Sequence, residues 1–260
     1  MTYLHPYSME DRYHRDSCGL DYNLSFAGCG FLGLYHLGVC CCVKEFAPHL
    51  YENKQIAGAS AGSIAAACLI CEVELSECVQ CFVGIIKKST NYVLGPFDPR
   101  YKITKHLKDS LEKILPTDAH LICSDRLHIS LTHSSSKGNV VINKFKTRDE
   151  LIKVILCSSF IPVFSGFIPL TLRGESVLDG ALSNNLPILN KSTITVSPFA
   201  GDADICPKVS PTSGFKSAAD ATGGLMISNT SFLMNLENIV RLFHIIWPMS
   251  PEKLTNLASQ

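Results

Sequence analysis

Short apolar runs alternate with longer amphipathic stretches along most of this chain. Asn23 to Ala27 leans apolar and predicts a buried strand. A glycine turn, Gly28 to Gly33, follows, and Phe31 to Phe46 has helical periodicity that stops before Pro48. Lys54 to Ala57 predicts a short strand, and Ser60 to Ile70, rich in Ala and small apolar residues, a buried helix. Glu74 to Lys88 and Tyr101 to Leu115 predict two more helices around a loop from Asn91 to Pro99. Leu127 to Leu131 and Val140 to Phe145 read as strands joined by a turn from Ser134 to Gly138. Thr147 opens a helix to Cys157, with Glu150 placed for a capping box. Val177 and Leu178 end a short strand, and Thr193 to Val196 forms another. Phe199 to Asn229 is rich in Gly, Ser, Pro and Asp and predicts mostly loop, before a final helix from Ser231 to Trp247. Strands alternating with helices predict an α/β fold with a largely parallel sheet. No repeat and no boundary between two domains is visible. The reading is a polar N-terminal extension over 1–22 and a single domain over 23–260.

Composition narrows the picture. Hydrophobic residues make up 46% and charged residues 18%, which excludes disorder. Lys+Arg and Asp+Glu both number 23, so no basic stripe offers itself to nucleic acid. The mean hydropathy of +0.18 suits a protein working against an apolar phase. Met1 to Ser17 is polar, without the apolar region of a signal peptide, so the expectation is a cytoplasmic protein that is not secreted. Leu24 to Val43 is uncharged and has about the 20 residues of a membrane span. Its Gly28, Gly30, Gly33 and Gly38, with Ser25 and His36, read instead as strand, turn and helix. Cys68, Cys71, Cys78 and Cys81 form two CxxC pairs whose separation is too short for a zinc ribbon. On helices that spacing simply places cysteines on one face. Free thiols are expected, and no metal or cofactor.

The sharpest chemical signal is Gly58-Ala59-Ser60-Ala61-Gly62 between a strand and a helix, the arrangement of a nucleophile elbow. The turn pushes the Ser60 hydroxyl outward, its flanking glycines avoid the adjoining strand and helix, and the helix N-terminus offers N–H groups to an oxyanion. Gly28-Cys29-Gly30-Phe31-Leu32-Gly33 spells the dinucleotide fingerprint. That fingerprint needs an acidic residue ending a strand about 20 residues on, and Glu52 precedes its apolar run instead. A glycine turn whose N–H groups approach a reacting carbonyl fits better beside an elbow. Asp179, in Val177-Leu178-Asp179-Gly180-Ala181, follows a strand and can act as a direct general base if burial raises its pKa. His244 completes a Ser-Asp-His chain order but lies within a helical run. Arg100, Lys102, Lys105, Lys108 and Lys113 give one helix a basic face, for solvent or for anionic lipid.

These elements in this order resemble the patatin-like phospholipases, most closely the animal lipid-droplet branch of adipose triglyceride lipase and adiponutrin. The matching stretches are LSFAGCGFLGLYHLGV (Leu24 to Val39), GASAG, SSFIPVFSGFIP (Ser158 to Pro169), LDGALSNNLP (Leu178 to Pro187) and TITVSPFAGDADICP (Thr193 to Pro207). The resemblance implies a three-layer α/β/α sandwich with a mostly parallel central sheet and a Ser60–Asp179 dyad without His. It implies an oxyanion hole at Gly28, Cys29 and Gly30, with Gly33, Gly58, Gly62 and Gly180 supporting the motifs. It further implies hydrolysis of long-chain acyl glycerols through an acyl-serine, a lipid-droplet or membrane surface, and an α/β-hydrolase-like coactivator protein. A transacylase with the same dyad, or a non-catalytic droplet- or coactivator-binding regulator, are the alternative functions. One departure is Ala181, where the family usually has a second glycine after the dyad acid.

Overall fold

In a computed structural model, which describes residues 22–208 and 224–249, the elements follow the predicted alternation. They are β1 (Asn23–Phe26), α1 (Leu34–Phe46), β2 (Ile56–Gly58), α2 (Ala61–Ile70), α3 (Leu75–Thr90), α4 (Ile103–Ile114), α5 (Ala119–Cys123), β3 (Leu127–His133) and β4 (Asn139–Ile142). After these come α6 (Arg148–Ser158), β5 (Leu170–Leu172), β6 (Glu175–Asp179), β7 (Thr193–Val196), β8 (Gly224–Ile227), β9 (Thr230–Leu233) and α7 (Leu236–Ile246). The N-terminal extension, apart from Tyr22, lies outside the described residues.

Parity along the strands decides which face is apolar. Leu24 pairs with Ile56 and Ile194, and Ile56 with Leu127, so one face of the sheet is a continuous apolar layer. The helices α2 and α6 pack on it, with α1, α3, α4 and α5 around them. The opposite face carries Ser25, Ala57, Ser130 and Thr132. Strands β7, β1, β2 and β3 run parallel in that spatial order, and β4 pairs antiparallel with β3. The fold class read from the sequence, a patatin-like α/β fold with a mostly parallel central sheet, is the one observed.

One pairing matters for function. Leu131 and Thr132 of β3 pair with both β4 and β6, and Ile129 pairs with both β2 and β4. Therefore β2 and β6 share the same edge of β3. They run in opposite directions and end facing each other, Gly58 opposite Ile129 and Asp179 opposite Leu131. That is a separation of two strand residues, about 7 Å.

Several boundaries differ from the pattern-based expectation. Leu24 to Val43 is strand, 3-10 turn and helix, and among the described residues no helix is long and apolar enough to cross a membrane. The stretch expected as loop from Phe199 contains β8, which pairs with β9 as a hairpin, and the expected final helix begins later, at Leu236. Asn235 caps that helix by accepting from Asn238 N at 2.7 Å, so Ser231 to Leu233 stays free to form a strand. At α6 the capping box is half formed. Thr147 Oγ1 accepts from Glu150 N at 3.1 Å, whereas the Glu150 carboxylate takes the Lys146 N–H and Arg173. Thr147→Ala therefore removes one N-cap bond and is expected to lower stability by about 1 kcal/mol in urea denaturation.

Candidate active site

Ser60 stands between β2 and α2 with φ +50° and ψ −126°, a backbone conformation rare for any residue with a side chain. Hydrogen bonds pin it from both sides. Its N–H donates to Ser158 Oγ at 2.9 Å, and its carbonyl accepts from Ser63 Oγ at 2.7 Å and Ser63 N at 2.9 Å. Ser158 Oγ in turn donates to Ser130 O at 2.7 Å, tying the elbow to β3. Backbone packs closely against both flanking glycines. A Cβ on Gly62 would overlap the Phe26 carbonyl oxygen, and one on Gly58 would lie 2.6 Å from Gly62 C.

Asp179 is fully buried at the end of β6. Its Oδ1 accepts from Ala181 N at 2.8 Å, and Oδ2 has no hydrogen-bond partner among the described residues. Burial pushes the carboxyl up to about 7, against smaller downward pulls from the Ala181 N–H and the Ser60 hydroxyl. Ser60 is thus within electrostatic reach of the carboxylate, without a hydrogen bond of normal length joining them. Ala181 donates its N–H to Asp179 and sits in a right-handed 3-10 turn, a backbone conformation that does not require glycine. Gly180 lies against the Ser130 carbonyl.

The glycine turn after β1 closes over the same spot. Gly28 N–H is already engaged, donating to Asn185 Oδ1 at 2.9 Å and Asn185 O at 3.3 Å. The N–H groups of Cys29 and Gly30 have no acceptor among the described residues. Burial first, and the Asp179 charge second, push the Cys29 thiol up, which places this turn beside the carboxylate. Gly30 has φ +53°, and a Cβ there would overlap the Ile245 carbonyl from α7. Gly33 faces the Phe82 ring. His36 is buried with Nε2 on the Ala27 carbonyl at 2.7 Å, and burial lowers its pKa to about 4. It stays neutral and holds the turn from below.

Sequence reasoning missed Asn185, Ser158 and His36 as supports of the site, although each lies in a stretch that carried the family resemblance. His244 does not join Ser60 and Asp179. Its Nδ1 is 2.8 Å from the Trp247 carbonyl on its own helix, and its ring packs on Phe243. The four CxxC cysteines do not gather into one cluster either: Cys68 meets Cys78, but Cys71 turns away to lie 3.5 Å from Cys123 Sγ. Among the described residues no cluster of three or more His, Cys, Asp or Glu is arranged to hold a metal ion.

Ser60 opens onto an apolar cavity with some 920 Å³ of empty space, its open mouth included. At the mouth Phe164 meets Phe31 and Phe97 edge-on, and Phe97 stacks with Trp247. In the same segments of the chain as Phe97 and Phe164, Val93 is 92% exposed, Phe167 84% and Ile168 83%. Three of the five basic residues are paired with nearby carboxylates, Lys105 with Asp109 at 2.8 Å, Lys108 with Glu112 at 3.1 Å and Arg100 with Asp98. Within α4 these are exposed i,i+4 pairs, which lower the charge these residues offer to anionic lipid.

Comparison with known proteins agrees with this geometry. The sequence model of the patatin-like phospholipase family matches residues 24–190. Patatin-like phospholipase domain-containing protein 2 of Rattus norvegicus is 44% identical over 92% of this chain and 49% of its own length. The 1-acylglycerol-3-phosphate O-acyltransferase Pnpla3 of Mus musculus is 38% identical over 92% of this chain and 56% of its own. Patatin-like phospholipase domain-containing protein 5 of Homo sapiens is 38% identical over 84% of this chain and 49% of its own. The chain spans about half the length of these curated relatives.

Proposed function

The chain belongs to the patatin-like phospholipase family, and from that membership we propose that it is a serine acyl hydrolase acting on long-chain acyl glycerols through a Ser60–Asp179 dyad. The observation that carries the reading is a strained Ser60 at the mouth of an apolar cavity, facing a buried carboxyl with a pKa of about 7.

Asp179 becomes ionised as pH rises through about 7 and then takes the Ser60 proton as Oγ attacks the ester carbonyl. The free N–H groups of Cys29 and Gly30 hold the oxyanion, with Gly28 spent on orienting the turn through Asn185. The tetrahedral intermediate collapses, the leaving alcohol takes the proton from Asp179, and Ser60 is left acylated. Water then attacks, Asp179 accepts its proton, and the fatty acid departs as Ser60 recovers its hydrogen. A lipid alcohol in place of water makes the same acyl-enzyme a transacylase. The name of the mouse acyltransferase relative favours keeping this second reading. The exposed Phe167, Ile168 and Val93 around the mouth suit contact with a lipid surface, where a substrate chain can enter without crossing water.

Labelling with an ethyl fluorophosphonate tests the dyad. The wild type and His244→Ala are expected to label, whereas Ser60→Ala and Asp179→Asn, folded by circular dichroism, are not. A folded wild type that fails to label overturns the catalytic reading. Loss of labelling in His244→Ala alone replaces the dyad by a triad.

A further inference from the structure

We infer that the cavity behind Ser60 is a blind acyl-chain site that measures chain length, with Cys68 and Cys78 as its floor. The inference rests on the catalytic role proposed for Ser60 and adds what the cavity selects.

The helices around the cavity give it a direction. Ser60 and Ala61 form one end, at the N-terminus of α2, and Ile64, Ala65 and Cys68 line it along one face of that helix. Helix α3 runs the other way. Cys78 near its start reaches the Cys68 thiol, while Ile85 further along lies by the α4 entrance, its carbonyl accepting from Tyr101 at 3.1 Å. Helix α4 starts near the mouth, where Thr104 Oγ1 donates to Ser165 O, and carries Leu107, Ser110 and Leu111 inward. At the far end Cys68, Cys78 and Leu111 are 2%, 4% and 1% exposed and wall the cavity, with the half-buried Cys81, Ser110 and Ile114 beside them in its lining. An ester carbonyl at Ser60 therefore has one way to lay down its chain, between α2, α3 and α4.

The depth follows from the helix. Ser60 and Cys68 are about 12 Å apart along the axis of α2 at 1.5 Å of rise per residue, the extended length of roughly ten chain carbons. A saturated chain of that length fills the site, and each further carbon has to fold back or stay outside. The sulfur atoms at the floor suit this place. They are small and polarisable, and they accept a terminal methyl without leaving an unmet hydrogen bond.

A series of alkyl fluorophosphonates, from ethyl to hexadecyl, tests this on the intact chain. In the wild type the labelling rate of Ser60 should climb with chain length and stop climbing at about ten carbons, as added methylenes no longer leave water. Ser110→Trp fills the inner part of the cavity from α4 and should lower the decyl-to-ethyl rate ratio by about tenfold or more. Cys81→Phe, from the facing helix, should do the same and guards against a folding defect peculiar to one variant. Rates that climb unbroken to hexadecyl, or a ratio unmoved in both folded variants, overturn the gauge while leaving Ser60 as nucleophile. Absence of labelling by every probe removes the catalytic role on which the gauge depends.

Discussion

Asp179→Asn is expected to be inactive and yet more stable than the wild type at pH 8, by about 2–4 kcal/mol in urea denaturation. The carboxyl is fully buried and its pKa is raised from 3.8 to about 7. A group whose pKa is higher in the folded state binds protons more tightly there than when unfolded. Its contribution to stability is complete below pH 3.8 and is lost as pH rises towards 7. At 1.36 kcal/mol per pH unit the whole loss is about 4 kcal/mol. Asparagine has no charge to desolvate and keeps an oxygen for the Ala181 N–H. The variant's advantage should therefore shrink as pH falls and vanish near pH 4. For the wild type, kcat/KM should rise with pH around a midpoint near 7, where Asp179 becomes available as a base. A variant less stable than the wild type at pH 8 would show that the carboxyl is not held in a desolvated place.

Gly62→Ala is expected to lose about 3 kcal/mol or more and all activity, although alanine is the better helix former. A Cβ there meets the carbonyl oxygens of Phe26 and Ala27, which are backbone atoms of β1 and the turn after it. Neither can yield without shifting the strand or the glycine turn, and overpacking of this kind exceeds any gain in propensity. Gly38→Ala is the matched control. It also lies in a helix, nothing stands within 4 Å of its Cβ, and it should gain about 0.5–1 kcal/mol. Urea midpoints of the two variants and the wild type decide. Equal effects at both positions would mean that the elbow has room the geometry does not allow.

What the sequence revealed and what it hid follow from the range of the interactions involved. The GASAG elbow was legible because its five residues are contiguous and keep a fixed spacing between a strand and a helix, although Gly62 answers to the distant Phe26 and Ala27 carbonyls. Strand β7 was read with its observed bounds because its alternation is local. The supports of the site were not legible. Asn185 meets Gly28 across 157 residues and Ser158 meets Ser60 across 98, so neither motif spelling nor periodicity registers them. The hairpin β8–β9 was hidden for another reason. Its first strand is exposed along its length and sits in a stretch read as loop, and its second runs directly into the cap of α7, so that strand and the helix read as one helix. Ala181 looked like a departure because sequence shows the missing glycine and not the right-handed turn, whose backbone does not require one.

The meeting of β2 and β6 end to end on one edge of β3 has a consequence for how the protein comes into being. The proposed nucleophile and base arrive from opposite directions and are level only when both strands hold their register against β3. A slip of β6 by one residue would turn Asp179 to the other face of the sheet. A nascent chain that has made the elbow but not yet laid down β6 has a serine with no base. A damaged chain that has lost β6 is in the same position. On the proposed mechanism such chains are catalytically silent rather than promiscuous, and ester turnover would serve as a certificate that the sheet has been completed.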